Sequence, residues 1–124
     1  MGSDWRTLCR GSRVTIDGDD VIVRFENERS HRVRIHETED VFEFHAVVAR
    51  AATVRDVQDL PLRLWRYNRA AQLVGFRLDT RGRVYAEGWI PKAGLTAEEF
   101  QLVLRHVAAE SDRLEYLLTG RDTE

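Results

Sequence analysis

In its first half the chain alternates apolar and polar residues in twos. Val21, Val23 and Phe25 alternate with Ile22, Arg24 and Glu26; His31, Val33 and Ile35 alternate with Arg32, Arg34 and His36; Phe42, Phe44, Ala46 and Val48 alternate with Glu43, His45 and Val47. Successive side chains of an extended chain point to opposite faces, so these runs predict strands with one apolar face. Asn27 to Ser30 and Thr38 to Asp40 are polar breaks of hairpin length, and Asp17-Gly18 is a turn dipeptide that folds a shorter run, Arg13 to Ile16, onto the next strand. The pattern predicts an antiparallel meander.

The second half opens with a period of three and four. Val54, Val57, Leu60, Leu62, Leu64 and Trp65 predict a helix from Thr53 to Ala71, which Pro61 must kink or begin. Leu73 to Asp79 and Arg83 to Ile90 are then two extended runs joined by Thr80-Arg81-Gly82, where glycine supplies the positive φ of a tight turn. Thr96 and Glu99 have the spacing of a capping box, and Phe100, Val103, Leu104, Val107, Ser111, Leu114 and Leu118 form the buried seam of a long final helix. Glu98, Gln101, Arg105, Asp112 and Glu115 are expected to face water, and Gly120 to end the helix in a left-handed cap. Antiparallel strands separated by helices, with no βαβ crossover, predict an α+β fold.

Within that frame, the helix with Leu64-Trp65-Arg66-Tyr67-Asn68 leads to the hairpin of Phe76-Arg77-Leu78-Asp79 and Val84-Tyr85-Ala86-Glu87. Ile90-Pro91 and Leu95-Thr96-Ala97-Glu98-Glu99-Phe100 then open the last helix. This arrangement, over about residues 55 to 118, resembles the YbjN-like branch of the type III secretion chaperone-like (Tir chaperone) superfamily. The resemblance implies a twisted antiparallel sheet of five to six strands with two helices packed on one face, in one domain spanning residues 1–124. It further implies a homodimer that holds an extended segment of a partner protein, with no cofactor and no reaction. The family usually begins with a helix; here Gly11-Ser12 interrupts the segment ahead of Arg13, so that helix is expected to be reduced to a turn around Asp4 to Cys9, or absent.

Composition narrows the function classes. Nineteen basic residues stand against 21 acidic ones, so no long-range positive field exists to hold a polyanion. No run of some 18 apolar residues could span a membrane, and the charged N-terminal stretch lacks the apolar segment of a signal peptide. A cytoplasmic protein is expected. Cys9 is the single cysteine and has no partner for an intrachain disulfide, and no zinc-type grouping of cysteine and histidine appears.

Chemistry has few footholds. Glycine-rich phosphate loops, Gly-x-Ser-x-Gly elbows and His-Glu-x-x-His helices are all missing, and neither a catalytic group, a cofactor nor a metal is expected. His36 and His45 on neighbouring strands, with Glu43, are the best metal grouping, and cross-strand polar pairing on a wet face explains them as well. Arg63, Arg66 and Arg69 beside Trp65 and Tyr67, together with Arg24, Arg32 and Arg34, could serve a nucleic-acid-associated regulator. Interleaved Glu26, Glu37, Glu39 and Glu43 can neutralise them, and nucleic acid is the weaker reading. Tyr85, Glu87 and Trp89 share one side of their strand while Val84, Ala86, Gly88 and Ile90 share the other. If the small residues face the helices, the aromatics stand on an open face. The candidate partner-binding residues are therefore Trp65, Tyr85, Trp89 and Val47 for apolar contact, with Arg66 and Arg77 as a polar rim, for an unidentified protein client.

Overall fold

Six strands and four helical segments follow one another along the chain. The computed structural model describes residues 5–9 and 13–119. A single helical turn, α1 (Trp5–Leu8), precedes β1 (Val14–Asp17), β2 (Asp20–Arg24), β3 (Ser30–Glu37) and β4 (Val41–Ala49). After them come α2 (Ala51–Val54), α3 (Leu60–Ala70), β5 (Gly75–Leu78), β6 (Val84–Pro91) and α4 (Ala97–Thr119). The expected initial helix is thus present as one turn. Gly120, the expected cap, lies outside the described residues.

All strands join one antiparallel sheet in the order β1-β2-β3-β4-β6-β5. The first four form the meander that the alternation predicts. The chain then crosses to the far edge through α2 and α3, lays down β5 outermost, and returns as β6 between β5 and β4. Gly18 (φ 64°) and Gly82 (φ 82°) take the left-handed conformation in the β1–β2 and β5–β6 turns. At the second hairpin the Asp79 carboxylate accepts hydrogen bonds from the backbone N–H of Arg81 and Arg83 and from Arg83 Nε, at 2.9, 2.8 and 2.7 Å.

The helix expected over Thr53 to Ala71 is two helices. In a continuous helix the Pro61 ring would strike the carbonyl four residues back, at Val57. Instead α2 ends at Val54, Asp59 turns left-handed (φ 56°), and α3 starts afresh with Pro61 in its first turn. Near its other end Asn68 closes the sheet edge: its Nδ2 donates to Phe76 O at 2.8 Å, and its Oδ1 accepts from Phe76 N–H at 2.7 Å. The side-chain amide thereby occupies the place of a neighbouring strand.

One face of the sheet is covered by α4. Its capping box is formed as predicted, with Thr96 N–H donating to Glu99 Oε1 at 3.0 Å and Glu99 N–H to Thr96 Oγ1 at 3.2 Å, which contributes about 1 kcal/mol to helix stability. The predicted seam is buried in full and meets Val33, Ile35, Phe42, Phe44, Val84 and Ala86. Phe100 sits at the centre, its ring 5.1 Å from that of Phe44 and 5.4 Å from that of Phe42. Buried Ser111 donates to Val107 O at 2.6 Å and leaves no orphaned hydroxyl. At Gly88 the covering layer comes so close that a Cβ would lie 2.9 Å from Leu73 O and 3.2 Å from Val107 Cγ2.

Three residues expected to face water on α4 are half-buried instead. Gln101 donates to Leu8 O at 2.9 Å, tying α1 to α4. Asp112 pairs with Arg29 at 2.9 Å, and Glu115 also lies inward.

Candidate functional site: the open face of the sheet

Among the described residues, no helix covers the other face. Strand parity decides what stands there. On β6, Val84, Ala86 and Gly88 point into the core, which leaves Tyr85, Glu87 and Trp89 outside, Trp89 with 66 % of its surface exposed. On β4, Val47 is 45 % exposed between buried Ala46 and Val48. Arg77 on β5 completes the group.

Register arranges these side chains in rows across the strands. The first row is Val47, Tyr85 and Arg77, partners in the β4–β6 and β6–β5 ladders. The Arg77 and Arg83 guanidinium carbons lie 5.3 and 5.9 Å from the centre of the Tyr85 ring, within cation–π range. The second row is ionic and spans four strands: Asp20, Arg34, His45 and Glu87 are successive partners. The third row is His36, Glu43 and Trp89. An aromatic strip on one side and a tryptophan on the other thus flank a charged band.

The charged band is internally paired. Arg34 Nε donates to Asp20 Oδ1 and Arg32 Nη1 to Asp20 Oδ2, both at 2.8 Å, and Arg32 also reaches Asp17. Asp20 is only 8 % exposed on this open face because the two arginines cover it. Burial pushes its carboxyl pKa up, but the hydrogen bonds from Arg34 and Arg32 and their charges outweigh that and hold it below the ordinary aspartate value. The same contacts raise both arginines. Arg77 Nε meets Glu87 Oε1 at 3.2 Å, and His45 Nε2 meets Glu43 Oε1 at 3.3 Å. Arg32 and Arg34 are therefore matched by hairpin aspartates and not by the glutamates that the alternation singles out. Lys92 takes Glu37.

Metal binding by His36, His45 and Glu43 is not what the register sets up. His36 lies across from Glu43 and His45 across from Arg34, so the two imidazoles are diagonal neighbours. Among the described residues, the histidine and carboxylate group at ligand spacing is His31, Asp112 and Glu115.

The six residues singled out from the sequence fall in two places. Val47, Tyr85, Trp89 and Arg77 share the open face. Trp65 and Arg66 lie on α3, beyond β5; Trp65 is 56 % exposed, with Arg69 stacked 5.1 Å from its ring. Sequence reasoning passed over Asp20, which the β2–β3 register places across from Arg34 on this face.

An opening in the sheet adjoins the aromatic row. The β3–β4 ladder stops at the pair Arg34 and His45, although β3 reaches back to Ser30 and β4 on to Ala49. A β-bulge between Val47 and Ala49 turns β4 away there. The resulting cleft, about 780 Å³, is walled by Arg32, Arg34, His45, Val47 and Tyr85 and reaches down to Glu115 of α4. No helix among the described residues is long and apolar enough to cross a membrane.

No protein-family profile matches the chain, and no curated protein does. Solved structures do. A chain of the ExsC–ExsE complex superposes with a TM-score of 0.59 at 18 % identity, over 84 % of this chain and 80 % of that one. A chain of the heterodimeric ExoU–SpcU complex, from the type III secretion system of Pseudomonas aeruginosa, gives 0.63 at 13 % identity over 85 % and 87 %. A chain of the HopA1–SchA chaperone–effector complex gives 0.52 at 14 % identity over 94 % and 88 %. At such identities the likeness is one of architecture, that of an open antiparallel sheet with helices on one face.

Proposed function

We propose that the protein is a noncatalytic, chaperone-like binding module that holds a segment of a partner protein, and that it works in the cytoplasm as a homodimer of single-domain subunits spanning residues 1–124. The observation that carries this reading is the uncovered sheet face. Half of each inner strand's side chains find no second layer among the described residues, and the face they form presents Val47, Tyr85 and Trp89 around a neutralised ionic band. Exposed aromatics bring large apolar area at low entropic cost, which suits a contact surface. The solved complexes of the same fold, in which such chains are found with partner proteins, support the same direction. Arg77 and Glu87 would form the polar rim, while Trp65 and Arg66 on α3 would face the second subunit. Assignment to the YbjN-like branch rests on the pattern over residues 55 to 118.

The nucleic-acid alternative loses support because, of its arginines, Arg32 and Arg34 are committed to carboxylates and Arg63 donates to Tyr67 Oη and Leu117 O. The test is capture of partners from the native lysate at low and high salt, followed by calorimetry with the recovered partner. A defined protein is expected to survive high salt, and Tyr85→Ser with Trp89→Ser is expected to weaken its complex while circular dichroism stays native. Recovery of nucleic acid alone, lost as salt rises, would replace this reading with the arginine-face alternative.

A further inference from the structure

Below the cleft lies a cluster that the protein-binding reading leaves unused. His31 on β3, and Asp112 and Glu115 on α4, each bring one ligand atom within 4.8 Å of the other two. The carboxylates are three residues apart, which puts them on one side of the helix, and β3 delivers the imidazole from across. All three residues are half-buried.

The hydrogen bonds around them prepare the donors. His31 Nε2 lies 2.9 Å from Val47 O. A carbonyl oxygen can only accept, so Nε2 carries a hydrogen and Nδ1 is the nitrogen that can offer a lone pair to a metal. Metal-ligating histidines are held in this way, with the second ring nitrogen donating to a carbonyl or carboxylate. The two hydrogen bonds that the Arg29 guanidinium gives Asp112 both fall on Oδ1, at 2.9 and 3.3 Å, so Oδ2 is the carboxylate oxygen on which neither of them falls. Glu115, which lines the cleft, makes no ion pair among the described residues.

The geometry points to a binding site for a divalent cation of the zinc class, held by His31, Asp112 and Glu115 under the opening between β3 and β4. One imidazole with two carboxylates suits zinc, cobalt or nickel better than calcium or magnesium, which take oxygen ligands alone. Ligand atoms held tetrahedrally about 2.1 Å from zinc lie about 3.4 Å from one another, so the side chains need to close by up to about 1.4 Å. The remaining coordination position faces the cleft, where water can fill it. Such an ion would brace β3 to α4 at the end of the sheet where the ladder is missing. Arg29 opposes it, since its charge already sits on Asp112.

The test is calorimetric titration of zinc chloride into the tag-free, chelator-washed chain, with cobalt chloride as a spectroscopic substitute. One equivalent is expected to bind, and cobalt to give a visible ligand-field spectrum. Glu115→Gln, a change of charge at nearly constant shape, should weaken zinc at least tenfold, as should His31→Ala, while Arg29→Gln should tighten it. The site is overturned if the natively folded chain binds no stoichiometric zinc, or if both ligand variants bind it undiminished. Neither result bears on the open face as a protein-binding surface.

Discussion

On β6, Val84, Ala86 and Gly88 lie against the core with no room to spare, while Tyr85, Glu87 and Trp89, interleaved with them, look outward. On β4 the same division separates Phe42, Phe44 and Ala46 from Glu43, His45 and Val47. The covered face is aliphatic and aromatic, filled to close packing, and held by α4. The open face is a paired ionic band between two aromatic edges. Parity alone separates them, so a substitution's cost is set by whether its position is odd or even before its chemistry is considered.

The sharpest way to break this comparison is to exchange neighbours in weight. Phe100→Ala removes the ring against which Phe42 and Phe44 pack and is expected to cost about 3 to 5 kcal/mol in urea denaturation. Trp89→Ser deletes a larger side chain from the open face and should change stability by no more than about 0.5 kcal/mol. Equal losses would mean that the open face is itself packed in solution. Next in size is Gly88→Ala. One methyl group would meet a backbone oxygen, Leu73 O, which cannot swing aside as a side chain would, and the expected loss is about 1 to 3 kcal/mol by thermal denaturation.

The smallest effect concerns charge. Asp20 has its folded-state pKa depressed. Such a group contributes stability that is whole above the unfolded value, near 4, and is lost as pH falls below it toward the folded value. The natural chain should therefore lose more stability than Asp20→Asn between about pH 4 and pH 2. Parallel acid profiles for the two would show that the two-arginine clamp adds nothing.

Most of the architecture is legible in the residues because it is written in local periods. Alternation marks β2, β3, β4 and β6, turn residues mark off β1 and β5, the Thr96–Glu99 spacing marks the start of α4, and the seam from Phe100 to Leu118 marks the covered face. The aromatic strip follows once the small side of β6 is known to face inward. What periodicity does not carry is what happens between elements. The break at residues 55–59 depends on where the Pro61 ring would collide. The cleft depends on a bulge at Val48 that leaves the hydrophobic pattern nearly unchanged. Asp112 and Glu115 read as a wetted helix face, and only the approach of β3, with Arg29 and His31, draws them inward.

The clasp of Asn68 on Phe76 sets a limit on assembly. A sheet with two bare margins can add copies head to tail without end, each new molecule offering the margin that the last one used. Here the β5 margin is already occupied by a side chain of the same molecule, and β1 forms the only other one among the described residues. A copy that joined at β5 would have to displace that clasp from Phe76, whereas β1 to β1 is a two-fold contact that consumes both bare margins at once. By that route the molecule can pair without growing into a fibre.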